Sequence, residues 1–197
     1  LIYGAADGNS YMQISKDFPY FNKNNLSYVH NERFIIPYLI GLLSYLLNLD
    51  HFLIYRFLIF LLIFFTIFIF YKIISFFKID HFNKFIIVGL IIFNPYIVRY
   101  FLSLPTLIND LVFMASSLLI IHGFLTKKKL VCFIGFVISI AARQTGLVFL
   151  PAIIINKIIY KKKSFFSLKD IIFITLIYLI IYILNTYHAN IAGSDHN

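Results

Sequence analysis

From residue 52 to residue 77 the chain reads FLIYRFLIFLLIFFTIFIFYKIISFF, and only Arg56, Thr66, Lys72 and Ser75 interrupt its aliphatic and aromatic residues. As a helix rising about 1.5 Å per residue it extends about 39 Å, more than the ~30 Å hydrocarbon core of a bilayer. A helix apolar on every side has no solvated face, so it belongs in a large core or in lipid. The rest of the 197-residue chain decides between the two, being 61% hydrophobic and 13% charged with a mean hydropathy of +0.89. A water-soluble globule of this length leaves roughly 30% of its unfolded surface in water, and this chain carries too little charge to cover that surface. The expected solvent is lipid.

The remaining apolar runs set the expected architecture. Residues 84 to 98 form a second run, broken at Asn94-Pro95, where proline removes a backbone donor. Residues 106 to 125 form a third; 130 to 142 and 146 to 159 are two short runs separated by Arg143, Gln144, Thr145 and Gly146; residues 170 to 187 form the last. Residues 34 to 49, FIIPYLIGLLSYLLNL, reach only about 24 Å as a helix and are expected not to cross. The expected fold is therefore all-α: a polytopic transmembrane helical bundle with about six membrane-crossing helices and a juxtamembrane helix in the first outer loop. The expected divisions are 1–50 as an extracytoplasmic loop containing the 34–49 helix, 51–188 as the transmembrane domain, and 189–197 as a polar tail. The chain begins at Leu1 without a methionine and reaches Asp7 almost at once, so it shows no signal peptide. A preceding segment is expected, and the polar end from His188 fits an interrupted chain as well as a true terminus.

The net charge of +9 does not point to nucleic acid, because of where it lies. Eleven of the seventeen basic residues fall in three stretches between apolar runs: Lys72, Lys78 and Lys84; Lys127 to Lys129; and Lys157, Lys161 to Lys163 and Lys169. Short lysine-rich connections of this kind stay in the cytoplasm. Assigning all three there runs the six crossings alternately inward and outward from residue 52, and it leaves residues 1–50 outside.

With that topology the outer face collects Asp7, Glu32, Arg33, Asp50, Arg56, Arg99, Asp110 and Arg143, including all four arginines of the chain. Guanidinium is a planar, permanently charged fork that binds phosphate or carboxylate through two hydrogen bonds. Arg56 and Arg99 also have a plain reading as interfacial side chains reaching the headgroups. Asp110 has one as an anion at a helix N-terminus. Arg143 sits within an apolar stretch and needs a polar cavity or a partner. Asp7, in the Gly-containing turn ADGNSY, offers a carboxylate able to take a proton from an attacking hydroxyl. The six histidines show no ligand spacing and the single Cys132 reads as a small core hydrophobe, so no zinc site or disulfide is expected. No Gly-rich phosphate loop or serine-hydrolase elbow is present.

The segments ADGNSYMQIS, NERFIIPYLIGLLSYLL, NPYIVRYFLSLPTLINDLVF and ISIAARQTGLVFLPA, in that order, resemble the N-terminal half of polytopic glycosyltransferases of the GT-C superfamily. The resemblance covers about residues 3 to 155. It implies transfer of a hexosyl or pentosyl group from a polyprenyl-phosphate-linked sugar to a glycan, lipid or protein acceptor outside the cytoplasm, in the bacterial cytoplasmic (inner) membrane. It implies Asp7 as catalytic base, Asp110 as a second acidic position, and Arg33, Arg99 and Arg143 as ligands of the carrier phosphate. The first-loop motif is a lone Asp-Gly rather than a paired acid, which leaves a divalent cation, Mg2+ or Mn2+, open. The helix that precedes the first-loop acid in the family, and its later helices, are not in this sequence, so the resemblance implies an incomplete enzyme. Two other classes fit the outer-face arginines: a polysaccharide polymerase or flippase of the O-antigen type, and a secondary transporter. The transporter reading expects broken helices in two related halves, and only the break at Pro95 is present.

Overall fold

The computed structural model describes residues 6–20, 26–94, 98–160 and 165–192, and every regular element within them is helical. Three short helices, α1 (Ala6–Lys16), α2 (Tyr28–Asn31) and α3 (Ile35–Leu47), precede the long α4 (His51–Ile74). There follow α5 (His81–Ile92), α6 (Tyr100–Ser103), a 3-10 turn at Pro105–Leu107 and α7 (Ile108–Leu125). The chain continues through α8 (Lys129–Ala142), a 3-10 turn at Gln144–Val148, α9 (Phe149–Tyr160) and α10 (Leu168–Ala192).

Among the described residues three helical stretches are long and apolar enough to cross a membrane: His51–Ile74, Pro105–Leu125 and Leu168–Ala192. The about six crossings expected from sequence are thus matched in part. Ile35–Leu47, His81–Ile92, Lys129–Ala142 and Gln144–Ile159 are apolar but shorter. The second expected run stops at Ile92, two residues before Asn94; Pro95 and residues 161–163 lie outside the described residues.

α4 shows why these helices suit lipid. Asp50 caps its start, its Oδ1 accepting from the amides of Phe52 (2.8 Å) and Leu53 (3.2 Å), which satisfies two of the donors a helix leaves open. Within the helix the Thr66 hydroxyl donates to the Leu62 carbonyl at 2.6 Å, so this polar group in an apolar run is met locally. Ile54, Tyr55, Ile59, Ile63 and Thr66 form the buried stripe, while Phe57, Phe60, Phe64 and Phe68 on the other side are 50 to 69% exposed. A row of exposed phenylalanines of that size is an interaction surface, and along a helix of this length the matching solvent is hydrocarbon.

α7 and α8 form an antiparallel hairpin. Lys127 takes a left-handed conformation at the turn (φ 55°), and the Lys128 amide returns to the Gly123 carbonyl at 2.8 Å. Further along, Cys132 Sγ donates to the Ile120 carbonyl (3.3 Å). A Cβ on Gly135 would stand 2.9 Å from the Ser116 carbonyl oxygen, so the two backbones approach where only glycine fits. α10 runs parallel to α8, with Lys129 and Asp170 paired at 2.9 Å near their two starts.

The two cores divide along the long axis. One joins Tyr11 and Ile14 of α1, Ile40 of α3, Ile54, Tyr55 and Ile59 of α4, and Ile108 and Leu111 of α7. The other joins Ile120, Cys132, Phe136, Ile140, Ile153, Ile174 and Ile181. The N-terminal segment, read from sequence as part of an extracytoplasmic loop, therefore supplies core residues. It also corrects the placement of Asp7: the residue lies in the first turn of the helix α1 rather than in a Gly-containing turn. Gly8 is tolerated there because α1 is held from outside, with Gly41 letting α3 close on Ser15 to a distance no side chain permits. The Tyr55 hydroxyl donates to the Tyr11 carbonyl at 3.0 Å and ties α1 to α4. At the other terminus, α10 continues through residues 189–192 of the expected polar tail, with Ala189 and Ala192 buried.

Candidate functional site at the arginine-bearing end

The starts of α4 and α7 and the ends of α8 and α10 lie at one end of the bundle, and the Lys72–Lys84 and Lys127–Lys129 connections lie at the other. All four arginines belong to the first end. Arg143 leaves α8 in extended conformation (φ −151°, ψ 135°), and its amide still bonds the Ser139 carbonyl at 2.9 Å. That geometry swings its side chain across to α7, where Nη2 meets Asp110 Oδ1 at 2.6 Å. The partner that Arg143 requires is thus Asp110, and the ion pair closes the open end of the α7–α8 hairpin. Both side chains keep about a third of their surface exposed, 32% for Arg143 and 36% for Asp110.

Arg33 precedes α3, and its Nη1 donates to the Tyr11 hydroxyl at 3.3 Å. Its carbonyl accepts from Asn109 Nδ2 at 3.2 Å, so the backbone at Arg33 is fastened beside Asp110. Arg99 stands immediately before α6, makes no capping hydrogen bond there, and is exposed. Arg56 lies over the Phe52 ring with its guanidinium carbon 4.4 Å from the centroid, a cation–π contact at the second turn of α4. The backbone of Asp7 is in α1, which packs on α3 and on the Pro105–Leu107 turn leading into Asp110. The carboxylate of Asp7 lies outside the described atoms.

Sequence reasoning missed a second polar group at this end. His188, assigned to the margin of the tail, is buried on α10, stacks on Phe34 with centroids 4.0 Å apart, and bonds the Asn31 carbonyl through Nδ1 at 2.9 Å. A carbonyl only accepts, so Nδ1 carries the proton. Asn109 and Asn185 are likewise buried, at 0% and 1% exposure. The signal available was spacing: Ile174, Ile181, Asn185, His188 and Ala192 continue one helical stripe, which marks Asn185 and His188 as facing inward.

Among the described residues no group of three or more His, Cys, Asp or Glu is placed to hold a metal ion, and Asp110 is committed to Arg143.

What fold and site define together is a class: a chain whose described residues are helical in every regular element, with three helices among them long and apolar enough to cross a membrane, and a polar cluster at one end of the bundle. No family model, no curated protein and no solved structure matches the chain.

Proposed function

We propose that the chain is an integral membrane glycosyltransferase of the bacterial cytoplasmic membrane, moving a sugar from a polyprenyl-phosphate carrier to a glycan, lipid or protein acceptor. The six apolar segments cross, α3 lies along the outer face, and residues 1–50 are extracytoplasmic. One observation carries the reading: α1, with Asp7 in its first turn, packs at the end of the bundle that also holds Arg33 and the Asp110–Arg143 pair. An acid and several guanidinium groups in one layer at the edge of an apolar bundle suit an amphiphilic phosphate whose sugar must meet a polar acceptor.

In the step itself, an acceptor hydroxyl oxygen forms a bond to the anomeric carbon while its proton passes to the Asp7 carboxylate. The bond between that carbon and the carrier phosphate oxygen breaks, and its electron pair leaves with the phosphate. Arg33 and the exposed Arg99 hold that phosphate, because their guanidinium groups are not committed to a carboxylate in the described structure. Arg143, steadied by Asp110, presents its outward N–H groups to the same anion.

The test uses membrane vesicles carrying the protein and a panel of radiolabelled polyprenyl-phosphate hexoses and pentoses. Asp7→Asn is expected to abolish transfer while membrane insertion is unchanged; transfer retained by the variant rejects the role of Asp7.

A further inference from the structure

At the lysine-bearing end, away from the arginines, the last two turns of α7 and the facing side of α9 border a cavity of about 270 Å³. Ile120, Ile121 and Phe124 line it from α7, Ala152 and Ile153 from α9, and Phe166 from the connection to α10. α9 packs mainly on α10 and on the turn before it, so its backbone stands off from α7. Two ring contacts bound the space between them. Phe113 meets Phe149 (centroids 6.4 Å apart) towards the arginine end, and Phe124 meets Phe165 (5.4 Å) towards the lysines. Between these contacts the cleft opens outward: Ile121 and Phe124 are each 44% exposed, while Ile120, Ile153 and Phe166 are buried. Asn156 is the only polar residue among those lining it.

The shape and the charges at its margin narrow the occupant. A helix is about 10–12 Å across, and one laid along the cleft runs into the ring contacts at both ends. An acyl chain is narrow and flexible enough to enter from the side. Just past Leu125, which also lines the cleft, come Lys127 and Lys128, both exposed. Their amides return to the carbonyls of Phe124 (3.2 Å) and Gly123 (2.8 Å), which keeps this turn against the end of the cleft. Neither lysine has a carboxylate partner among the described residues, since Asp170 is taken by Lys129 and Asp80 caps α5. Lysine-rich connections stay on the cytoplasmic side, where the leaflet carries anionic lipids that juxtamembrane cations attract. A zwitterionic lipid brings its own ammonium group against the lysines, so a net negative headgroup is favoured. We propose that the α7–α9 cleft takes one acyl chain of an anionic phospholipid, with Lys127 and Lys128 at its phosphate. The site lies at the opposite end of the bundle from Asp110 and Arg143 and stands without the transferase reading.

The whole chain, purified in detergent and depleted of lipid, is titrated with phosphatidylglycerol and with phosphatidylcholine of the same acyl chains, and bound lipid is counted by native mass spectrometry. Phosphatidylglycerol is expected to bind about tenfold more tightly, and soluble glycerol phosphate to give no adduct. Lys127→Gln with Lys128→Gln is expected to bring the two lipids within about twofold of each other. Lys78→Gln with Lys84→Gln, which removes the same charge from the α4–α5 connection, is expected to keep the preference. Ala152→Phe, which fills the cleft with a ring, is expected to weaken phosphatidylglycerol binding about fivefold by excluding methylene groups from it; if that variant does not fold, Ala152→Leu is read in its place. Equal binding of the two lipids by wild type, a preference that survives the Lys127 and Lys128 changes, and one lost equally with Lys78 and Lys84 each overturn the proposal. So do undiminished binding by the Ala152 variant, an adduct of glycerol phosphate, and a second protein chain bound in place of lipid.

Discussion

Arg143→Ala tests the contact that ties α7 to α8 at the site. With Nη2 and Oδ1 at 2.6 Å, charge centres about 4 Å apart interact by about 4 kcal/mol at an effective dielectric of about 20. Both side chains are a third exposed, which brings water into the pair and pulls the value toward the 0.2–1 kcal/mol of surface pairs. The coupling expected from a double-mutant cycle with Asp110→Ala therefore falls between, at about 1–2 kcal/mol. For a chain of 197 residues that corresponds to a fall of about 2–8 °C in the unfolding midpoint for either single variant, and to less than the summed loss for the pair. Thermal unfolding in nanodiscs reads all three variants, and the charge exchange Asp110→Arg with Arg143→Asp is expected to recover most of the stability. A coupling under about 0.3 kcal/mol refutes the reasoning, because the extended departure of Arg143 from α8 would then have no electrostatic cause.

Two further outcomes follow from the same geometry. In a Cys132→Ser background, Asn9→Cys and Lys128→Cys, both at exposed positions, are expected to react with a membrane-impermeant maleimide from opposite sides of sealed vesicles; reaction from one side removes the common compartment the site needs. Gly135→Ala is expected to destabilise by about 1–3 kcal/mol, since its Cβ meets the Ser116 carbonyl oxygen at 2.9 Å, while Gly89→Ala, with nothing described within 4 Å, is expected to be neutral or stabilising; equal unfolding midpoints for the two variants contradict the close α7–α8 approach.

Much of the helical layout was legible because it rests on local signals. Asn94-Pro95 marks a break, and α5 has ended by Ile92, whereas Asp50, read only as an outer-face carboxylate, caps α4. The need of Arg143 for a partner was also legible, since a lone charge in an apolar stretch is costly. That the partner is Asp110 was not, because the pairing depends on the antiparallel register of α7 and α8, and that register is set by glycine contacts and the Lys127 turn rather than by either charged residue.

α1 was hidden for a different reason. ADGNSYMQISK has weak intrinsic helix preference, with Gly, Asn and Ser in its first turns, and its buried Ser10, Tyr11, Met12, Ile14 and Ser15 mix polar with apolar residues and give no apolar stripe of helical period. Its helix exists because Gly41 admits Ser15 and because Tyr55 bonds Tyr11 from α4, both contacts distant in sequence. The number of crossings stays illegible on the same physical ground. α5, α8 and α9 extend only about 18 to 21 Å each, and a helix that short reaches across hydrocarbon only where neighbouring helices, bilayer thinning or flanking polar residues make up the difference. Arg143 stands at such an end, where the Asp110 carboxylate meets its guanidinium, so the charge that closes α8 is met by a partner on α7 rather than left alone beside an apolar helix.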